Sequence, residues 1–115
     1  MTIERIEAGA RLSEVVAYGN LVFLAGHVSD LPGAGVTEQT RDVLGQIDAH
    51  LAAAGTDKSK LLSVQIWLSD ITTWADMNVA WDEWMDKDNL PARATVEARL
   101  AKPEWKIEVA CVAAR

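Results

Sequence analysis

The stretch PARATVEARLAKPEWKIEVACVAA, residues 91–114, decides the fold of this chain because it holds two alternating segments separated by a loop. After Pro91, small or apolar residues alternate with polar ones through residues 92–99, which predicts a strand with two different faces. A second strand is predicted at about residues 105–113. The polar face of the first strand carries Arg93, Thr95, Glu97 and Arg99. Either water solvates that row or a ligand uses part of it.

Four further strands are predicted upstream of this stretch. TIERIE, residues 2–7, is the first, and EVVAYGNLVFLAG, residues 14–26, is a hairpin with its turn near Gly19-Asn20. LLSVQIWLSD, residues 61–70, is apolar and rich in β-branched residues, so it predicts a strand buried on at least one face.

Two helices complete the pattern. Thr37 is a candidate N-cap for a helix that Gly55 ends, because apolar residues between them recur at helical spacing. Thr73 and Asp76 form an acidic capping pair before the second helix. The apolar stripe of that helix indicates packing on a sheet rather than an aromatic ligand site. Its members are Trp74, Met77, Ala80, Trp81, Trp84 and Met85.

The element order β-ββ-α-β-α-ββ predicts one α+β domain over residues 1–115, with two helices on one face of a mixed sheet. Two helices cover only one face, yet the pattern puts Leu62, Val64 and neighbours on one side of the strand at 61–69, and Leu61 and Trp67 on the other. Strand 106–113 is also apolar on both sides. A helix-free apolar face needs cover, which predicts a homo-oligomer.

Composition narrows the function classes. The 115 residues carry a net charge of −6 with no Lys/Arg run, which argues against sequence-independent nucleic-acid binding and against docking on anionic membranes. No targeting signal or membrane span is evident, and the single cysteine, Cys111, fits a reducing cytoplasm as a buried, inert thiol. His27 and His50 are the only histidines and lack zinc-site spacing, so no metal site is predicted.

Glu108 is the first candidate for chemistry, because a carboxylate between Ile107 and Val109 is costly to bury unless it is paired or functional. Arg93 begins the strand that we expect to be its neighbour, and its planar guanidinium suits a carboxylate ligand. The residues alone leave two alternatives open: Arg93 and Glu108 form a cross-strand ion pair, or both are exposed to water.

The stretch from residue 91 to residue 114 resembles the C-terminal signature of the RidA family, also called YjgF-like, the reactive-intermediate (enamine/imine) deaminases. That signature has P-x-R, a strand and loop, then K-[IV]-E before a small apolar strand, and the spacing of Arg93 and Glu108 matches it. RLSEVVAYGNLVFLAGHV, residues 11–28, resembles the family's N-terminal hairpin, and AWDEWM, residues 80–85, its second helix.

The resemblance implies a chorismate-mutase-like fold and a homotrimer with a cleft at each subunit interface. It also implies hydrolysis of 2-imino acids, of the 2-iminobutanoate and 2-iminopropanoate type, to 2-keto acids and ammonia without a cofactor. Arg93 would then bind the substrate carboxylate and Glu108 would position and deprotonate water, while backbone N–H groups near Gly26 orient the substrate.

The chain departs from well-studied members around these residues. Thr95 stands where they have cysteine, Ala25 where they have serine, and His27 where they have glutamine; we count all three positions as substrate-binding. Leu12 occupies the place of a tyrosine. Three rival functions are a non-catalytic binding module for small carboxylates on the same fold, a ribonuclease, and a protein-interaction or holdase role.

Overall fold

A computed structural model of the chain describes residues 1–115, with six strands in one sheet and two helices on one of its faces. The strands are β1 (Ile3–Ala8), β2 (Ser13–Tyr18), β3 (Leu21–Val28), β4 (Leu61–Leu68), β5 (Ala92–Glu97) and β6 (Ile107–Ala114). The helices are α1 (Val36–Ala53) and α2 (Trp74–Trp84). The predicted element order and the two-layer α+β architecture are confirmed.

The sheet has the order β1-β2-β3-β6-β4-β5 and is mixed. Every neighbouring pair is antiparallel except β4 and β5, which run parallel with α2 in the connection between them. β6 therefore lies in the middle of the sheet, between β3 and β4, and β5 lies at an edge.

Glycines mark the chain reversals that the sequence predicts. Gly19, in the two-residue turn between β2 and β3, has a φ of 59°, and Gly55, just after α1, has a φ of 80°. Only glycine adopts these left-handed angles at little cost, so the predicted turn and helix stop are both confirmed.

The predicted helix starts are only partly correct. α1 begins at Val36 with Gly35 as its N-cap, so the assignment of Thr37 as N-cap was wrong. Thr37 lies inside the first turn, where its hydroxyl donates to the carbonyl of Asp76 on α2 at 2.8 Å. Thr73 does precede α2, but it makes no side-chain capping bond, because its hydroxyl donates to the carbonyl of Asp70 at 2.6 Å.

The core lies between the helices and the face of the sheet that they cover, hereafter the covered face. α1 packs over β3 and β6 and against α2. The largest side chains of the core are fully buried. They include Leu44, Ile47 and Leu51 of α1, Met77 of α2, and Ile66, Leu68 and Ile107 of the sheet.

Two β-bulges decide which residues face the core. The first interrupts β4 between Leu61 and Ser63, so that Leu61 is buried while Leu62 is exposed. The prediction that Leu62 shares a face with Val64 was therefore wrong, because one extra residue in a strand reverses the alternation. The second bulge interrupts β3 between Leu24 and His27.

The opposite face of the sheet carries no helix and is hereafter the open face. Tyr18, Phe23 and Val96 on this face remain 45%, 43% and 45% exposed. Such a set of partly exposed apolar side chains is what the sequence predicts for a surface that a second copy covers. No helix in the chain has the length and apolar character needed to span a membrane.

Candidate active site

Glu108 lies on the open face of β6, level with Val28 of β3 and Trp67 of β4. A Cβ atom placed on Gly26 would come within 2.2 Å of Oε2 of Glu108. The Glu108 carboxylate thus occupies the space that a side chain at residue 26 would fill. None of the ion pairs in the chain involves Glu108, so its carboxylate is free to meet a ligand.

The bulge in β3 supplies this geometry. Leu24 pairs with Cys111 and His27 pairs with Val109, so Ala25 and Gly26 together oppose one residue of β6. Gly26 comes beside Glu108 on the open face, while the His27 side chain is buried with its Val109 partner. Consequently Ala25 and Gly26 lie next to Glu108 along the sheet, but the imidazole of His27 does not share its face.

Arg93 lies at the start of β5 on the side of the sheet that bears the helices, since it is level with the buried Val64. Its Nη1 donates to Oδ1 of Asn78 at 2.9 Å, and its Cζ lies 4.9 Å from the ring centroid of Trp81. The stacked ring holds the guanidinium by a cation–π contact. Burial lowers the pKa of Arg93, partly offset by the charge of Asp82, yet an arginine stays protonated.

Thr95 lies two residues further along β5 and shares the side of Arg93, since it is level with the buried Ile66. Its Oγ1 is buried and makes no hydrogen bond. A buried hydroxyl without a hydrogen-bond partner is uncommon in folded proteins, so the Thr95 hydroxyl is available to bond a ligand. The polar row of β5 is therefore not simply solvated, because its first two members face the helix layer.

A cleft of about 510 Å³ opens between α2 and the start of β5. Its lining includes Arg93, Trp74, Asn78, Asp82 and Pro91. A larger cleft of about 780 Å³ lies at the other end of β5 and contains neither Arg93 nor Glu108. The cleft beside Arg93 is the better candidate for a small carboxylate, because it alone presents a stacked guanidinium.

Arg93 and Glu108 do not meet within one chain. The expectation that they occupy neighbouring strands was wrong, because β4 lies between β5 and β6. Arg93 is level with Val64 and Glu108 with Trp67, and the two side chains lie on opposite faces. The offset along the strands is about 10 Å and the offset across them is about 10 Å. The alternative of a cross-strand ion pair is thereby excluded within the chain.

Cys111 takes no part in this chemistry. It is buried on the covered face, and burial raises the pKa of its thiol to about 12. A thiol with such a pKa is neutral at physiological pH and is a poor nucleophile. The interpretation of Cys111 as a small hydrophobic core residue agrees with this environment.

Sequence reasoning missed two features near the candidate residues. Asn78 and Trp81 hold Arg93, but only the helical stripe of α2 singled out Trp81, and it was assigned to the core. The second feature brings together Glu7, Glu14, His27 and His50, which lie on three strands and α1. No spacing in the sequence signals this cluster, because its members meet only through the sheet register and helix packing.

These features define a class of small α+β proteins with an open sheet face. They are a six-stranded mixed sheet, two helices on one face, and on the other face a glutamate whose carboxylate lies beside a glycine. The family profile described as Endoribonuclease L-PSP matches residues 2–115. The chain therefore belongs to the endoribonuclease L-PSP family, which confirms the RidA- or YjgF-like resemblance.

Individual relatives match along almost the entire chain. A RutC family protein of Haemophilus influenzae is 50% identical over 114 residues, with 98% of each chain covered. The RutC family protein YoaB of Escherichia coli is 44% identical over 114 residues, with 99% of each covered. A crystal structure of a YjgF family member from Neisseria meningitidis matches with a TM-score of 0.97 and 44% identity, covering 100% of this chain and 96% of that one.

Proposed function

We propose that this chain hydrolyses reactive 2-imino acids to 2-keto acids and ammonia, in clefts between copies of itself. The observation that carries the proposal is the Glu108 carboxylate, which lies unpaired on the open face in the space left by Gly26. The family of the chain and the family spacing of Arg93 and Glu108 support the same reaction. No cofactor is required in this proposal.

The reaction balances with the residues of the chain alone. The guanidinium of Arg93 binds the substrate carboxylate through two N–H groups, because one of its nitrogens already donates to Asn78 and the rest remain available. Glu108 accepts a proton from water as the oxygen bonds to the imine carbon. The imine nitrogen takes a proton as its C=N double bond opens, and Glu108 then passes the proton it accepted to that nitrogen. The C–N bond breaks as the C=O bond forms, the hydroxyl proton passes to the Glu108 carboxylate, and ammonia and a 2-keto acid are released.

An assembly of copies is part of the proposal because one chain cannot complete the site. Arg93 and Glu108 lie on opposite faces, so a substrate that contacts both needs one of them from a second copy. The partly exposed Tyr18, Phe23 and Val96 supply an apolar surface for that contact. We propose a homotrimer in the cytoplasm, and light scattering should then report about three times the 12.5 kDa chain mass.

The decisive test is a coupled deaminase assay with freshly generated 2-iminopropanoate and bulkier 2-imino acids. Glu108→Gln keeps the size of the side chain but removes the base, so turnover should fall by about 10²-fold or more. Binding of pyruvate, the product of 2-iminopropanoate hydrolysis, should survive. Asp88→Asn, which removes one exposed charge away from the site, is the matched control and should keep full turnover.

A non-catalytic binding module remains the second candidate, because Thr95 and Ala25 replace the cysteine and serine of well-studied members. That function predicts no turnover in the native protein and unchanged pyruvate affinity in Glu108→Gln. A folded Glu108→Gln protein that deaminates at the native rate would contradict the proposed mechanism.

Ribonuclease activity is the third candidate, since the family profile carries that description. The net charge of −6 counts against it, because RNA binding rests on cations that neutralise phosphates. Incubation of the protein with single-stranded RNA, with Glu108→Gln in parallel, separates this activity from a contaminating nuclease.

A further inference from the structure

A cluster of four side chains, Glu7, Glu14, His27 and His50, lies where β1, β2 and β3 meet α1, outside the candidate active site. Oε2 of Glu14 is 2.7 Å from Nε2 of His27, and Oε2 of Glu7 is 2.7 Å from Nδ1 of His50. The two imidazole rings stack at a tilt of 36° with their centroids 4.4 Å apart. The contacts thus run in the order carboxylate, imidazole, imidazole, carboxylate.

The ring nitrogens of His27 do not find hydrogen-bond partners within the chain. Its side chain is only 5% exposed, and its Nδ1 has no hydrogen-bond partner. Nε2 of His27 and Nδ1 of His50 are close to carboxylate oxygens, but neither contact has the direction of a hydrogen bond. Buried polar groups nearly always have a partner, so this arrangement points to a ligand-binding site.

The backbone is strained at Glu7, one member of the cluster. Glu7 is the only residue other than glycine with a positive φ, at 56°. Its place in the β1–β2 register is opposite Glu14, between the pairs Ile6–Val15 and Ala8–Ser13. Like charges in opposite positions of a sheet repel each other, and a left-handed glutamate is strained. Both costs are expected where the surroundings impose them for a function.

We propose that Glu14, His27 and His50 bind one divalent transition-metal ion, Zn²⁺, in each chain. One ligand atom from each residue lies within 4.8 Å of the other two. Ligands about 2.0–2.2 Å from a tetrahedral zinc are about 3.4 Å apart. The 2.7 Å and 4.8 Å extremes of the cluster bracket that value, so small side-chain rotations complete the site.

The types of ligand atom in the cluster determine which metal ion it should prefer. Two imidazoles and one carboxylate favour zinc and its first-row neighbours over Mg²⁺ or Ca²⁺, which prefer oxygen ligands alone. A dication also balances the two glutamate charges while both imidazoles stay neutral. Glu7 contacts Nδ1 of His50, where a carboxylate orients a metal-binding ring without binding the metal itself.

The proposed site has three protein ligands, which leaves the fourth tetrahedral position to a water molecule, and it does not depend on the deaminase proposal. It joins β1, β2, β3 and α1, and it reaches solvent on the side of the glutamates, whose side chains are 45% and 36% exposed. His27 directly follows Gly26, so a metal ion bound behind the sheet would also fix the bulge that brings Gly26 beside Glu108.

The test uses the full chain without a histidine tag, stripped of metal with a chelator and dialysed against ZnCl₂. We expect one zinc per chain, a raised melting temperature, and visible tetrahedral bands when Co²⁺ replaces zinc. Glu14→Gln and His50→Gln should each weaken zinc binding at least 100-fold, and Glu7→Gln about 10- to 100-fold. Asp88→Asn, which removes a charge outside the cluster, should leave zinc binding unchanged.

Circular dichroism of each variant establishes that it is folded before its affinity is compared. Absence of zinc binding by the folded native chain would overturn the proposal. So would zinc binding that persists undiminished in folded His50→Gln, because the metal would then be elsewhere on the surface. Neither result bears on Glu108, whose deaminase assay is run on the metal-free chain as well.

Discussion

β5 and β6 both alternate along their length, yet the same alternation has opposite meanings in the two strands. In β6, which lies between β3 and β4, the apolar residues Ile107 and Val109 are buried under the helices. In β5, at the edge of the sheet, the polar residues Arg93 and Thr95 face the helix side, and Val96 is exposed on the open face.

The difference follows from where the helices lie. α1 packs over β3 and β6, so any residue on that face of β6 enters the core. β5 lies beyond this cover, and its helix side borders the cleft beside α2 rather than the core. In a central strand the apolar residues therefore mark the buried face. In an edge strand the elements that lie beside it determine which face is buried.

The largest expected effect separates the two faces of β6. Val109→Asp places an unpaired charge in the core and should cost more than about 4 kcal/mol, enough to unfold the chain. Val112→Asp, on the open face, should leave a folded chain with the light-scattering mass of a monomer. Equal, concentration-independent destabilisation by both variants would mean that the open face is not an interface.

The second effect concerns the space beside Glu108. Gly26→Ala adds a methyl group where the carboxylate lies, so Glu108 must move and deaminase kcat/KM should fall by about 10²-fold. Gly33→Ala is the matched control, because no atom beyond its two chain neighbours lies within 4 Å of the added carbon. Full activity in Gly26→Ala would remove Glu108 from its proposed position during turnover.

The third effect tests whether β5 uses its polar face for binding. Arg93→Lys keeps the charge but loses the planar guanidinium, so the Kd for pyruvate should rise about tenfold, or about 1.4 kcal/mol. Arg11→Lys changes an exposed arginine outside the cleft and should leave the Kd unchanged. Isothermal titration measures the Kd of each variant. Equal affinities for the two variants would mean that Arg93 has a structural role and does not bind the carboxylate.

The smallest effect concerns the unpartnered hydroxyl on β5. Thr95→Val removes a buried group that makes no hydrogen bond, and should raise the free energy of unfolding by about 1 kcal/mol. Thr56→Val should lower it by a similar amount, because that hydroxyl donates to the carbonyl of Ala114 at 2.6 Å. Urea denaturation compares the two, and a loss of stability in both would mean that Thr95 has a partner.

Much of the fold could be predicted because it rests on local signals. Short segments of sequence carry the signals for the turn at Gly19-Asn20, the helix stop at Gly55, and the periodicities of the six strands and two helices. The bulges at Leu24–His27 and Leu61–Ser63 could not be predicted, because a bulge changes register without changing composition.

The candidate site was predictable in its residues but not in its arrangement. The family spacing singled out Arg93 and Glu108, whereas their separation depends on β4 coming between their strands. The contact of His27 with His50 likewise depends on how α1 lies on β3. Long-range packing of this kind leaves no periodic signal in one sequence.

The central position of β6 has a consequence for the order in which the protein is made. β1, β2 and β3 can pair as soon as they are synthesised, and so can β4 and β5, but the two partial sheets share no strand pair. Residues 107–114 must emerge from the ribosome before the partial sheets are joined. Until then the edges of β3 and β4 are unpaired, so the nascent chain has its greatest need of a chaperone just before β6 arrives.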